Sequence, residues 1–217
     1  MPRLPALSRL PTFKSYFYKM NYLAHAFLSF NNPEILTGNM ISDFVKGKKK
    51  FDYPLVIQKG IALHRMIDNF TDFHPATAIA KNFFRSRYRL YSGAFIDIVY
   101  DHFLALDKKQ FETYGGLENF SKIIYAQLDQ EKSIFPPAFQ RIFPYMKLQN
   151  WLYGYRLKEG MRKSFGGLVH RAVYLNESDF AFKIFNEHYE QLSDCYRVFF
   201  PMLKAYAFKN MGKLLTE

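Results

Sequence analysis

The chain is expected to fold as an all-α, single-domain bundle of roughly seven to nine helices. Three observations predict this. Apolar residues recur at helical spacing in segment after segment, as in Phe120, Ile123, Ile124 and Leu128. Glycines and prolines cut the chain into helix-length pieces. The alternating β-branched runs that would mark strands are absent. Of the 217 residues 49% are hydrophobic, enough for a sizeable core. The aromatic share is 19%, and Phe and Tyr are spread along the whole length. They read as core packing rather than as a binding stripe.

Residues 1–19 carry three prolines and four basic residues without an acid, and read as an extension preceding the domain, disordered or upstream of the native start. A single domain is expected over 20–212. The run from Tyr22 to Phe30 is helical and is stopped by Asn31-Asn32-Pro33. A second helix is expected from Pro33 or Thr37 to Lys46, with Gly47 as its C-terminal cap. Pro54 opens a long helix that His74-Pro75 closes, and Pro75 starts the next, ending near Arg85. Ser92-Gly93 opens a helix to about Leu106. Gly115-Gly116 marks a loop, and Leu117 to Lys132 is helical. Pro136-Pro137 ends it, and Phe139 to Met146 is expected as a short helix broken at Pro144. Leu148 to Leu157 and Met161 to Leu175 follow. The last helix is expected from Ser178 to about Lys209, kinked or split at Pro201.

Charge narrows the partners without choosing one. Lys and Arg total 30 against 19 acids, a net charge of +11, of which the chain beyond residue 20 keeps +7. Such a balance favours an acidic partner: nucleic acid, an anionic membrane surface or an acidic protein. The lone Cys195 excludes an internal disulfide and a multi-cysteine zinc site, and reads as a buried structural thiol. No apolar run is long enough for a membrane span, and the first nineteen residues make a poor signal peptide. A reducing cytoplasmic location is expected.

The chemistry concentrates in Gly60-Ile61-Ala62-Leu63-His64-Arg65-Met66-Ile67-Asp68-Asn69-Phe70-Thr71-Asp72. On a helix, His64, Asp68 and Asp72 project from one face, one turn apart. Thirty residues on, Asp97, Asp101 and the adjacent His102 form a second cluster, and an earlier helix carries Asn39 and Asp43 four apart. His25 lies on the first helix. Imidazole and carboxylate at i,i+4 can share one divalent ion, and an oxygen- and nitrogen-rich set without cysteine favours Mn²⁺ or Mg²⁺ over zinc. The expected ligands are His25, His64, Asp68, Asp97, Asp101 and His102. The expected catalytic groups are Asp43, His64, Arg65 and Asp72, with Asp72 the outermost. Lys46, Lys48, Arg85, Arg87 and Arg89 are candidates for holding a phosphate or an acidic partner. No Gly-rich phosphate loop, nucleophile elbow or CxxC pair occurs.

The Asp101-His102 adjacency resembles the HD metal-dependent phosphohydrolases, all-α domains whose ligands come from separate helices. Four motifs in order extend the likeness: Met20 to His25, Gly38-Asn39-Met40-Ile41-Ser42-Asp43-Phe44-Val45-Lys46-Gly47, Gly60 to Asp72, and Asp97 to Leu104. Together they resemble the acyl carrier protein phosphodiesterase family, from Met20 onward and most specifically before residue 110. The resemblance implies hydrolysis of the phosphodiester joining 4′-phosphopantetheine to the carrier's serine, with a divalent metal, typically Mn²⁺. It places the family's aspartate on Asp43, its His–Asp pair on His64 and Asp68, and its Asp-His on Asp101 and His102. The implied partner, acyl carrier protein, is small and acidic, which suits a basic helical body.

Two other readings stay open on the residues alone. One is an HD-like phosphohydrolase acting on a nucleotide such as a guanosine polyphosphate. The other is a non-catalytic basic module gripping nucleic acid, which the acids at 97–102 oppose. No nucleic-acid partner is expected.

Overall fold

The computed structural model describes residues 22–172, 174–175 and 177–216. The expected extension and the domain's starting boundary lie outside them. Among the described residues no strand occurs, and the helices run in order: α1 (Tyr22–Phe27), α2 (Pro33–Ile41), α3 (Leu55–Phe73), α4 (Pro75–Tyr88), α5 (Ser92–Leu106), α6 (Lys108–Phe111), α7 (Leu117–Gln130), α8 (Pro137–Leu148), α9 (Trp151–Gly154), α10 (Lys158–Arg171), α11 (Asp179–Glu187) and α12 (Tyr189–Thr216). Three of these, α1, α6 and α9, are single-turn pieces. The other nine match the expected number. Short 3₁₀ turns lie at 42–44 and 47–52.

The sequence signals act where expected at α2 and α4. Asn32 accepts from the Ile35 amide and Pro33 follows it, while His74 accepts from the Ala76 amide ahead of Pro75. Neither Pro144 nor Pro201 divides its helix. Pro144 lies inside α8 with Phe143 and Met146 buried around it, and Pro201 lies inside α12 between buried Phe200 and Leu203. Pro201 faces solvent, so packing on the opposite side holds the helix through the missing hydrogen bond. The division between the last two helices falls instead at His188, whose amide closes α11 on the Ile184 carbonyl.

α5 is the axis of the molecule. From Phe95 to Ala105 every residue is buried, and α1, α4, α10 and α12 pack around it. Aromatic side chains fill the interior in groups, among them Phe84, Phe95 and Phe165. Free Cys195 is buried. Among the described residues no helix is long and apolar enough to cross a membrane.

The functional end is set by one helix crossing. α2 packs most extensively on α3, and their backbones meet at Gly38 and Gly60. A methyl group on Gly38 would lie 2.1 Å from the Ile57 carbonyl oxygen, and one on Gly60 2.4 Å from that of Ile35. Only glycine fits either position. The contact brings the carbonyl of Asn39, one residue past Gly38, to His64, one helical turn past Gly60.

Candidate metal centre

His25 from α1 and His64 from α3 stack face to face, ring centroids 3.9 Å apart and 15° from parallel. Both are buried. His64 Nδ1 lies 2.8 Å from the Asn39 carbonyl oxygen, which can only accept, so Nδ1 carries the proton. His25 Nδ1 lies 2.7 Å from Asn39 Oδ1. The Asn39 amide is oriented by its nitrogen, which donates to the His25 carbonyl at 2.9 Å and to Ser29 Oγ at 3.1 Å. Oδ1 therefore faces His25 and accepts from its Nδ1.

With both Nδ1 atoms donating outward, both Nε2 atoms point inward. His25 Nε2 is 3.4 Å from Asp68 Oδ1, and His64 Nε2 is 3.5 Å from Asp68 Oδ2 and 3.4 Å from Asp43 Oδ1. Neither Nε2 has a hydrogen-bond partner, although both are buried. His25, His64 and Asp68 each offer a ligand atom, all within 4.8 Å of one another, and Asp43 borders them through His64. Imidazole lone pairs facing carboxylate oxygens in a buried site call for a cation or a proton between them. The donor set therefore fits a divalent metal. The carboxylates form the open side: the Asp43 and Asp68 side chains are 17% and 20% exposed, against 2% for His25.

Within the cluster the charges favour a proton on His64 alone. Burial works against charging His64, but Asp68 and Asp43 outweigh it and push its pKa up to about 10. Burial and the neighbouring His64 push His25 down, and Asp68 and Asp43 oppose them. Burial tends to raise Asp68, yet the two imidazoles hold it well below the usual carboxylate range.

The α5 candidates are not brought to this cluster. Asp101 accepts from the amides of Leu23 at 2.9 Å and Ala24 at 2.8 Å, so both oxygens cap the start of α1. Burial pushes its pKa well up, and these two amides with Tyr155 pull against that. His102 is held at both nitrogens, Nδ1 by the Tyr155 carbonyl at 2.7 Å and Nε2 by the Tyr189 hydroxyl at 3.0 Å. No lone pair remains for a metal. Asp97 lines a small, mostly apolar cavity with Ala24, Ile67, Tyr100 and Phe199. Asp72 is at the far end of α3, ion-paired with Lys81 at 3.0 Å.

The basic candidates divide. Arg65 is exposed and donates to the Val45 carbonyl at 3.2 Å, beside Asp43. Lys46 and Lys48 are exposed on the turn that continues from Asp43. Arg85, Arg87 and Arg89 lie at the end of α4, where Arg87 pairs with Glu177 at 2.6 Å. Asn39 was legible as a motif residue, but the approach of its carbonyl to His64 depends on the Gly38–Gly60 contact, which no local pattern announces.

Two inward imidazoles and two carboxylates at a helix crossing of an all-helical body form a candidate divalent-cation site. The comparisons give the family. Residues 20–203 match the family model described as acyl carrier protein phosphodiesterase, and the chain belongs to that family. Curated relatives named acyl carrier protein phosphodiesterase include one from Salmonella paratyphi A (strain ATCC 9150 / SARB42), 30% identical over 188 residues, or 87% of this chain and 97% of the relative. One from Yersinia pestis is 30% identical over 85% of this chain and 95% of its own, and one from Enterobacter sp. (strain 638) 29% identical over 87% and 97%. No solved structure matches the chain.

Proposed function

We propose that this protein hydrolyses the phosphodiester joining 4′-phosphopantetheine to the serine of an acyl carrier protein, releasing apo-carrier protein and 4′-phosphopantetheine. The carrying observation is the set His25 Nε2, His64 Nε2 and Asp68, gathered within 4.8 Å in a chain of this family. His25, His64 and Asp68 would hold a divalent cation, Mn²⁺ or Mg²⁺, with Asp43 at its edge. Such an ion, when bound, polarises a phosphoryl oxygen and makes water a stronger nucleophile at neutral pH.

The chain's own groups supply the rest. Asp43, partly exposed beside His64, is positioned to accept a proton from the attacking water. Arg65, next to His64 in the chain and held at the Val45 carbonyl, is assigned to the phosphate. The stacked imidazoles close the inner wall and keep water to the carboxylate side. Lys46, Lys48 and the neighbouring turn are assigned to the acidic surface of the carrier, and Arg85 and Arg89 to a more distant part of the same contact. Buried Cys195 is in keeping with the reducing cytoplasm, where the carrier would be met.

The test supplies holo-carrier protein and a guanosine polyphosphate side by side, with Mn²⁺, with Mg²⁺ and with a chelator. Loss of the prosthetic group, read by mass and dependent on the metal, supports the reading. Hydrolysis of the nucleotide alone would replace it with the nucleotide phosphohydrolase.

A further inference from the structure

We infer that Asn39 is the positioning residue of the centre, and that it holds the two imidazoles by separable means: His64 through its backbone carbonyl and His25 through its side-chain carboxamide. The inference rests on the reading of the cluster as a metal site. Three bonds close a loop around the amide. Ser29 Oγ donates to the His25 carbonyl at 2.8 Å, and Asn39 Nδ2 donates to that carbonyl and to Ser29 Oγ. Each partner then has one role: the hydroxyl proton is already committed, so Ser29 Oγ can only accept from the amide. A flipped amide would set Oδ1 against two acceptors and Nδ2 against the His25 Nδ1 proton. The loop thereby selects the Nδ1–H form of His25 and turns its Nε2 lone pair toward Asp68.

The two controls differ in how they respond to mutation. The Asn39 carbonyl reaches His64 because α2 and α3 touch at Gly38 and Gly60, so any residue at 39 still presents it. The carboxamide is lost with the side chain. Partners that orient metal-ligating histidines typically change affinity by about 10–100-fold when removed. Asn39→Ala should therefore weaken Mn²⁺ binding by about that factor, wholly through His25. Asn39→Asp keeps an acceptor for His25 Nδ1 and should retain its tautomer.

The experiment records ¹⁵N signals of the ring nitrogens in the full chain, metal-free, with Mn²⁺ affinity measured separately by calorimetry. The proposal expects Asn39→Ala to lose the Nδ1–H signature at His25 while His64 keeps its own, and Asn39→Asp to keep both. An unchanged His25 in Asn39→Ala, or an equal change at His64, overturns it. Should Asn39→Ala fail to fold, Asn39→Ser takes its place, since it removes the carboxamide and keeps a polar side chain and the backbone carbonyl; it must shift the His25 signal without moving that of His64, and an unmoved His25 overturns the proposal. A wild type that binds no metal but shows these tautomers would sink the metal reading and leave the positioning role standing.

Discussion

The imidazole rings of His25 and His64 are stacked 3.9 Å apart, though 39 residues separate them and they belong to different helices. Two stacked rings with parallel lone pairs present one pair of nitrogen donors to the same side. Asp68 faces both. That relationship makes the centre a joint product of α1 and α3.

His25→Ala, His64→Ala and Asp68→Ala should each lower Mn²⁺ affinity and carrier-protein hydrolysis by more than about 100-fold, beyond the upper end for outer partners. Helical content should persist in circular dichroism. Full activity in His64→Ala would falsify the assignment of the site.

Asp101→Ala should act on stability. It strands the buried Leu23 and Ala24 amides, each worth about 1–3 kcal/mol when unsatisfied. A urea titration should show the loss. An unchanged midpoint would mean that water replaces the carboxylate at no cost.

The fold was legible where local chemistry decides it. Asn32-Pro33 and His74-Pro75 mark helix starts, and most of the long helices follow from apolar spacing and loop signals, though the division at His188 does not. Neither Pro144 nor Pro201 divides its helix, because packing by Phe143, Met146, Phe200 and Leu203 overrides a local penalty. The site was half legible. His64 and Asp68 share a face one turn apart, a relation that sequence spacing contains. Asp101 and His102 offer the same residue types, side by side rather than one turn apart, but they sit on a helix buried all round, where the α1 amides and Tyr155 and Tyr189 engage them. Residue type names a possible ligand; only tertiary packing decides what it faces.

Gly38→Ala and Gly60→Ala should destabilise the protein by about 1–3 kcal/mol or more, since overpacking displaces backbone rather than flexible side chains. Both should also weaken metal binding, because His64 and Asn39 separate. Gly212→Ala, with nothing within 4 Å of the added methyl, should be neutral or gain about 0.5–1 kcal/mol from helix preference. Thermal melts of the three variants check this, and equal behaviour would remove the crossing from the account.

Acid and base should act on different histidines. His74 and His102 are pushed below their ordinary value of 6.5, chiefly by burial, so the unfolded chain binds more protons and stability falls as pH drops below 6.5. His64, raised to about 10 without metal, has the opposite sign: its contribution is complete below 6.5 and is lost as pH rises through about 10. A metal must displace that proton, so Mn²⁺ affinity should rise by up to about tenfold per pH unit across the window. Calorimetry at three pH values decides; a flat affinity would show that no proton leaves.

Charge reversal at Lys48 and Lys49 should lower kcat/KM for the carrier protein by about tenfold or more at low salt, with the deficit shrinking as ionic strength rises. Reversal at Arg85 and Arg89 tests the second patch in the same way. A patch whose reversal leaves kcat/KM unchanged at low salt takes no part in docking.

The Asp101 cap has a thermodynamic consequence. α1 has six residues, too few to hold as a helix unaided, and the carboxylate of α5 pins its first turn. That same turn delivers His25. If the cluster holds a cation as proposed, fraying of α1 and release of a ligand would be one event, and the bound ion would clamp the segment. At a hundred times its dissociation constant, a ligand confined to the closed form would suppress that opening by about 2.7 kcal/mol. Asp101, which caps α1 and lies outside the His25–His64–Asp68 set, would then sense occupancy of the site, because the helix it holds down would open less often when the centre is filled.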